Sequence, residues 1–306
     1  MRKMIKSYIE KLVLQLPYIG KWRKVFNAHS TPGHFYSPIP NIDFIKSNSH
    51  RIFIEPDNGL EGINLNSEVQ LSILTDLSRY VSTFPYHLVD AYKYRFNLNN
   101  IYYTYYDALN YFTFLLKFKP KRVYEVGSGY SSALLLDVNE HFLNSKTEIV
   151  FIEPFPEERL LKLKRPNDKF NLITDLVQNV RHDFFSSLEA GDFLFIDTSH
   201  VSKIWSDVNY IFFEIFPRLK AGVIIHLHDV HYPFEYPKEW IYKGFAWNEA
   251  YFLRSFLMYN TNFDILFMNS YLNNKFPIEF KKTFNPYSQH VIFENKSAGS
   301  IWIVKK

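Results

Sequence analysis

From Lys121 to the C-terminus, short apolar runs alternate with amphipathic ones, and this pattern constrains the fold more than any other feature. "RVYEV", "EIVFI", "DFLFID" and "GVIIHLHD" have the length and the β-branched or aromatic content of buried strands. "SSALLLDVNEHF", "PEERLLKLK", "SDVNYIFFEIFPRL" and "NEAYFLRSFLMY" carry helical spacing between and after them. "LVQNV" is a weaker strand candidate, and "FDILFM" and "SIWIV" are late ones. Strands separated by helices need crossover connections, which implies a doubly wound α/β fold with a mostly parallel sheet covered on both faces. Ligands of such sheets bind beyond the carboxyl ends of the strands. Glu125, Glu153, Asp197 and Asp229 each sit at or just past an expected strand end, so four acids should share one sheet edge.

Upstream the texture differs. "HSTPGHFYSPIPN" reads as a loop, and residues 42–118 as an aromatic-rich, mainly helical stretch. Within it, "EVQLSILTDLSRYV" and "NNIYYTYYDALNYFTFLLKF" are helix candidates. The aromatic crowd of the second suits a core, with part of it able to cover a site. Residues 1–24 carry Arg2, Lys3, Lys6, Lys11, Lys21, Arg23 and Lys24 against Glu10, a net +6 that leaves the remainder at −2. Charge confined to one end does not suit a nucleic-acid-binding body. Ile5, Ile9, Leu12, Val13 and Leu16 fall at helical spacing among those lysines. Such a helix either docks on the domain or lies on an anionic membrane surface. No apolar run of about 18 residues exists to span a bilayer. Cysteine is absent, which excludes disulfides, thiolate metal sites and a Cys nucleophile.

"VYEVGSGYSSALLLD" places Gly127, Ser128 and Gly129 in a turn between an expected strand and helix. Glycines there permit a tight turn and close approach of a ligand to the backbone, or serve the turn alone. Glu125, two residues before Gly127, would repel a pyrophosphate and attract a cation. Glu153, ending the next strand, can accept both hydroxyls of a ribose. A ribose with positive charge and no phosphate describes S-adenosylmethionine. The stretch resembles the E-x-G-x-G motif of class I S-adenosylmethionine-dependent methyltransferases. "FIEPFPEERL", "DFLFIDTSHVSKIWSDVNYIFFEIFPRLKAGVIIHLHDVHYPFEYPKEW" and "WNEAYFLRSFLMYN" are similar to a bacterial branch of that family. The resemblance runs from about Phe35 to about Leu272. It implies a seven-stranded Rossmann-like sheet with the last strand antiparallel, a catalytic domain over residues 119–306, a helical N-terminal or lid region over 29–118 and a basic helix over 1–28. It also implies that Glu125, Gly127, Ser128 and Gly129 hold the methionyl part, Glu153 the ribose and Asp183 the adenine. Asp183 also reads as a helix N-cap before "FFSSL".

A second constellation lies in "FIDTSHV" and "HLHDVHYPFEYP": Asp197, His200, His226, His228, Asp229 and His231. His226 reads as core. Two chemistries stay open for the rest. Asp197 and Asp229 can hold Mg²⁺ or another divalent cation that lowers the pKa of an acceptor hydroxyl, which resembles macrocin- and catechol-type O-methyltransferases. Alternatively His200 or His228 is a general base oriented by Asp197 or Asp229, without metal. Tyr232, Phe234, Tyr236 and Trp240 are either an aromatic floor for a sugar or loop packing. The leading expectation is O-methylation of a small molecule or glycan, by a cytoplasmic protein with a peripheral membrane contact through residues 1–24. The rivals are a nucleotide-cofactor oxidoreductase and a non-catalytic binding module.

Overall fold

The computed structural model describes residues 29–30, 32–54, 56, 59–86, 93–284 and 299–306. The basic helix expected over 1–28 lies outside them. Of the described residues, those up to Ile54 together with Lys238–Ala246 form a small compact unit, and the rest form a larger one.

The larger unit is built on seven strands: β1 (Arg122–Val126), β2 (Glu148–Ile152), β3 (Asn171–Ile173), β4 (Phe193–Ile196), β5 (Ile224–His228), β6 (Phe263–Met268) and β7 (Ser300–Lys305). Their order is β3-β2-β1-β4-β5-β7-β6. β1 to β5 are parallel, while β7 runs antiparallel to both β5 and β6. This is the mixed seven-stranded sheet that the resemblance implies. The four central strands are buried almost throughout because both faces are covered. The helix Tyr105–Phe118 buries every residue from Tyr105 to Leu116. Its Phe114 stacks on the fully buried Trp302 of β7, centroids 4.3 Å apart, and its Tyr111 lies 4.7 Å from Phe195 of β4. From Tyr103 to Phe114 the aromatic crowd is core, while Tyr102 ahead of it is exposed. The helix Ser67–Val81 packs beside it through Ile73, Leu74 and Leu77, so both helices belong to the unit that holds the sheet.

Two local readings change. "LVQNV" is not a strand: Val177–Asn179 is a single 3₁₀ turn, and β3 lies earlier, at Asn171–Ile173. Three residues pairing on one side with β2 leave little signal in sequence. "SDVNYIFFEIFPRL" is helical but irregular, passing from Asp207–Tyr210 through a π-turn, Ile211–Ile215, into a 3₁₀ turn ending at Arg218.

Register aligns the strand ends. Val126 pairs with Ile152 and Ile196, and Ile196 with Leu227. Glu153, Asp197 and Asp229 therefore emerge along one edge, with Glu125 one residue inside it.

Candidate active site

The glycine turn is fitted between the ends of β2 and β4. Gly127 donates its N–H to the Ile152 carbonyl (3.0 Å), and Asp197 donates to Val126 (2.9 Å). At Gly127 φ is +81°, and a Cβ there would lie 2.0 Å from the Asp197 carbonyl oxygen. Only glycine fits. Gly129 is extended, and a Cβ there would touch nothing closer than the Arg159 side chain at 3.4 Å. Ser132 stands where a dinucleotide fingerprint has its third glycine. Its Oγ accepts the Gly129 N–H (2.9 Å) and donates to Glu125 Oε1 (2.6 Å), while Ser131 donates to the same oxygen (2.7 Å). Glu125 is fully buried and braces the turn from beneath. Its Oε2 has no hydrogen-bond partner among the described residues. Burial pushes its pKa up to about 8 despite the two serine hydroxyls.

Glu153 locks the turn from the side. Its Oε2 accepts the Ser128 N–H (2.9 Å) and its Oε1 the Phe155 N–H (2.8 Å). It lines a cleft of about 320 Å³ together with Gly127, Gln178, Asp197, Ser199 and Trp205. Each carboxylate oxygen keeps a second lone pair for a ligand. Asp183 is not part of this cleft. It lies in the 3₁₀ turn His182–Ser187, exposed, paired with Arg181 at 2.7 Å. Because β3 ends at Ile173, the segment that reaches the cleft from it is Leu176–Gln178.

Asp197, which lines the cleft, also faces an imidazole to which the end of β5 brings Asp229. His200 is buried, with Nδ1 2.8 Å from Glu249 Oε2 and Nε2 3.4 Å from Asp197 Oδ1 and 3.5 Å from Asp229 Oδ2. Thr198 also donates to Glu249 Oε2 (2.9 Å) and accepts the His200 N–H (3.0 Å). The His200 carbonyl accepts the N–H groups of Asn248 and Glu249, which ties the loop to the start of the helix Glu249–Leu257. His200 and Asp229 both take left-handed backbone conformations, φ +59° and +57°. Such strain persists only where the surroundings impose it. Burial opposes charge on His200, but hydrogen bonds to Asp197 and Glu249 outweigh it and raise its pKa well above the ordinary histidine value. Burial lifts Asp229 to about 6. For Asp197, burial is outweighed by the hydrogen bond to His200 and by nearby positive charge, and its pKa falls.

Two carboxylates facing one nitrogen need positive charge between them, either a proton on Nε2 or a cation. Asp197, His200 and Asp229 each offer a ligand atom within 4.8 Å of the others. With Nδ1–H directed at Glu249, Nε2 presents its lone pair to the same point, so this donor set fits a divalent cation.

His228 approaches Asp229 from the other side, Nε2 to Oδ1 3.5 Å, beneath the Tyr103 ring. His226 is core: it stacks between Phe195 (4.1 Å) and Trp302 (4.5 Å), and burial holds its pKa well below the usual value. Tyr232, Phe234 and Tyr236 are buried. Tyr236 packs edge-on against Trp247, which in turn lies 4.3 Å from the His200 ring. Trp247 and Glu249 therefore belong to the site, although nothing in their local sequence marks them. Trp205, exposed and lining the cleft, is likewise silent in sequence.

A family model described as a methyltransferase domain matches residues 124–230, from within β1 to just past Asp229. It spans the glycine turn, Glu153 and the β4 and β5 acids. Residues 124–230 are a methyltransferase domain. The chain is similar to an uncharacterized protein of Archaeoglobus fulgidus, with 40% identity over 166 residues, 52% of this chain and 74% of that protein. Solved structures resembling it include the S-adenosylhomocysteine-bound Podospora anserina methyltransferase PaMTH1, at 16% identity and a TM-score of 0.41, covering 86% of this chain and 94% of that one. A Bacillus cereus O-methyltransferase in complex with S-adenosylhomocysteine shares 13% identity at a TM-score of 0.39, covering 86% and 97%.

Proposed function

We propose that the chain is an O-methyltransferase that binds S-adenosylmethionine in the cleft at the ends of β1, β2 and β4 and methylates a hydroxyl of a small molecule or glycan. The observation that carries this reading is the convergence of Asp197, His200 and Asp229, the first of which lines the same cleft as Glu153. In this reading Glu153 accepts the ribose hydroxyls, and the backbone at Gly127, Ser128 and Gly129 receives the methionyl group above Glu125. Leu176–Gln178 flanks the adenine in place of Asp183.

The acceptor oxygen attacks the methyl carbon in line. The carbon–sulfur bond breaks, and its electron pair stays on sulfur, giving S-adenosylhomocysteine. The acceptor proton passes to His200 Nε2 while Glu249 holds Nδ1–H, and Asp197 and Asp229 surround the imidazolium that forms. The sulfonium charge of the bound cofactor opposes protonation of His200 beforehand and so favours the basic form. A divalent cation bound to Asp197, Asp229 and His200 would supply Lewis-acid polarisation of the acceptor hydroxyl.

The test is isothermal titration with S-adenosylmethionine, S-adenosylhomocysteine and NAD, followed by tritiated-methyl transfer to a panel of hydroxylated acceptors with and without chelator. Expected are binding of the first two, and Glu153→Ala weakening both by roughly ten- to more than a hundredfold. Binding of NAD in place of S-adenosylmethionine would sink the reading. Loss of transfer in chelator, restored by Mg²⁺, would assign the cation form.

A further inference from the structure

The small unit is nearly all surface. Of its described residues only Ile241 is buried, and the helices Ile42–Ser47 and Ser49–Ile52 bury none. Inside it Phe53 lies edge-on to Tyr242 at 6.5 Å, with Lys238 over the first ring and Lys46 over the second, and Trp240 lies edge-on to Phe245 at 6.4 Å. Four of its large apolar side chains face outward: Phe35 is 80% exposed, Tyr36 69%, Phe44 62% and Ile54 63%. The His34 ring stacks on Phe35, centroids 4.4 Å apart, and the Tyr36 ring lies tilted against Phe35 at 4.1 Å. Ordered aromatic side chains at such exposure mark an interaction surface.

Charge indicates what covers it. Its described residues hold Lys46, Arg51, Lys238 and Lys243 against Asp43 and Glu239, and the sequence ahead of them, residues 1–28, adds a net +6. We propose that this unit docks the protein on an anionic bilayer. Phe35, Tyr36, Phe44 and Ile54 enter the interfacial layer, and Lys46, Arg51, Lys238 and Lys243 meet the headgroups. Aromatic rings favour the headgroup level, and each nearby Lys or Arg adds attraction to anionic lipid. Phe44 and Ile54 would gain nothing on a phosphodiester backbone, which favours lipid over nucleic acid. No described helix is long and apolar enough to cross a membrane, so the contact is peripheral.

The experiment is co-sedimentation of the full chain with vesicles of phosphatidylcholine alone and of phosphatidylcholine mixed equally with phosphatidylglycerol. Partition onto the mixed vesicles is expected, with release as salt rises to a few hundred millimolar. The double variant Phe35→Ser, Tyr36→Ser, and separately Phe44→Ser, should each lower that partition by roughly tenfold or more. These positions are exposed, so an unchanged unfolding temperature certifies the fold. Absence of partition by the wild-type chain would overturn the proposal. So would aromatic variants that partition like wild type, or tighter binding to a duplex oligonucleotide than to the mixed vesicles.

Discussion

At Gly127 a single hydrogen atom in place of a side chain decides whether β1 and β4 can meet. Gly127→Ala puts a methyl group against the Asp197 carbonyl and forces a positive φ on alanine. We expect it to destabilise the fold by more than about 2 kcal/mol. Gly129→Ala, extended and facing only a flexible arginine, should cost no more than about 1 kcal/mol. Urea denaturation of both variants checks the contrast. Glu125 makes a second residue-scale prediction. Its folded pKa, about 8, lies above the ordinary glutamate value, so the folded state keeps a proton that the unfolded state has lost. Stability should therefore fall as pH rises from about 4.5 to about 8 and level off beyond. Glu125→Gln should flatten that slope. Equal slopes in pH-dependent thermal unfolding of the ligand-free proteins would contradict the assignment. Glu249 acts through His200. Glu249→Gln should lower turnover roughly ten- to a hundredfold with cofactor affinity intact, and shift the pH–rate profile, because the imidazolium loses one of its three carboxylates. A profile identical to wild type would make Glu249 a helix-end packing residue only.

Among elements, the helix that follows the glycine turn, Tyr130–His141, is clamped at its far end. Arg95 donates to Asp137 (2.8 Å), to Glu140 (2.8 Å) and to Asp168, and Asp137 also accepts the Arg95 and Phe96 N–H groups. The arginine and Asp137 are both buried. Arg95→Met strands the Asp137 charge in the interior. It should cost about 3–5 kcal/mol in denaturant unfolding. Asp137→Asn, which keeps acceptors for the two backbone groups, should cost less. If the order reverses, the clamp is held by the backbone bonds rather than by the ion pair.

For the whole molecule, ligand and fold are linked. The turn, Glu153 and the β4 end that form the cleft are also the carboxyl edge of the central sheet, so a ligand bound there favours the folded chain. S-adenosylmethionine at a hundred times its dissociation constant should stabilise the protein by about 2.7 kcal/mol, seen as a raised unfolding temperature. NAD at equal concentration should leave that temperature unchanged.

The sequence alone determined the layered α/β architecture, because fully buried strands must be apolar and their ends are where acids can stand. Glu153, Asp197 and Asp229 were legible for that reason. His200 was legible from its spacing to Asp197. The short edge strand β3 was not, since three residues paired on one side need little pattern, and the placement of Asp183 went astray with it. Only the tertiary structure decided that Ser132 replaces the third glycine as a hydroxyl bracing Glu125. It also decided that Glu249, 49 residues beyond His200 in the chain, fixes that ring. Local sequence encodes which face of an element is buried. Which distant side chain completes a polar cluster is set by how the elements pack, and no periodicity records it.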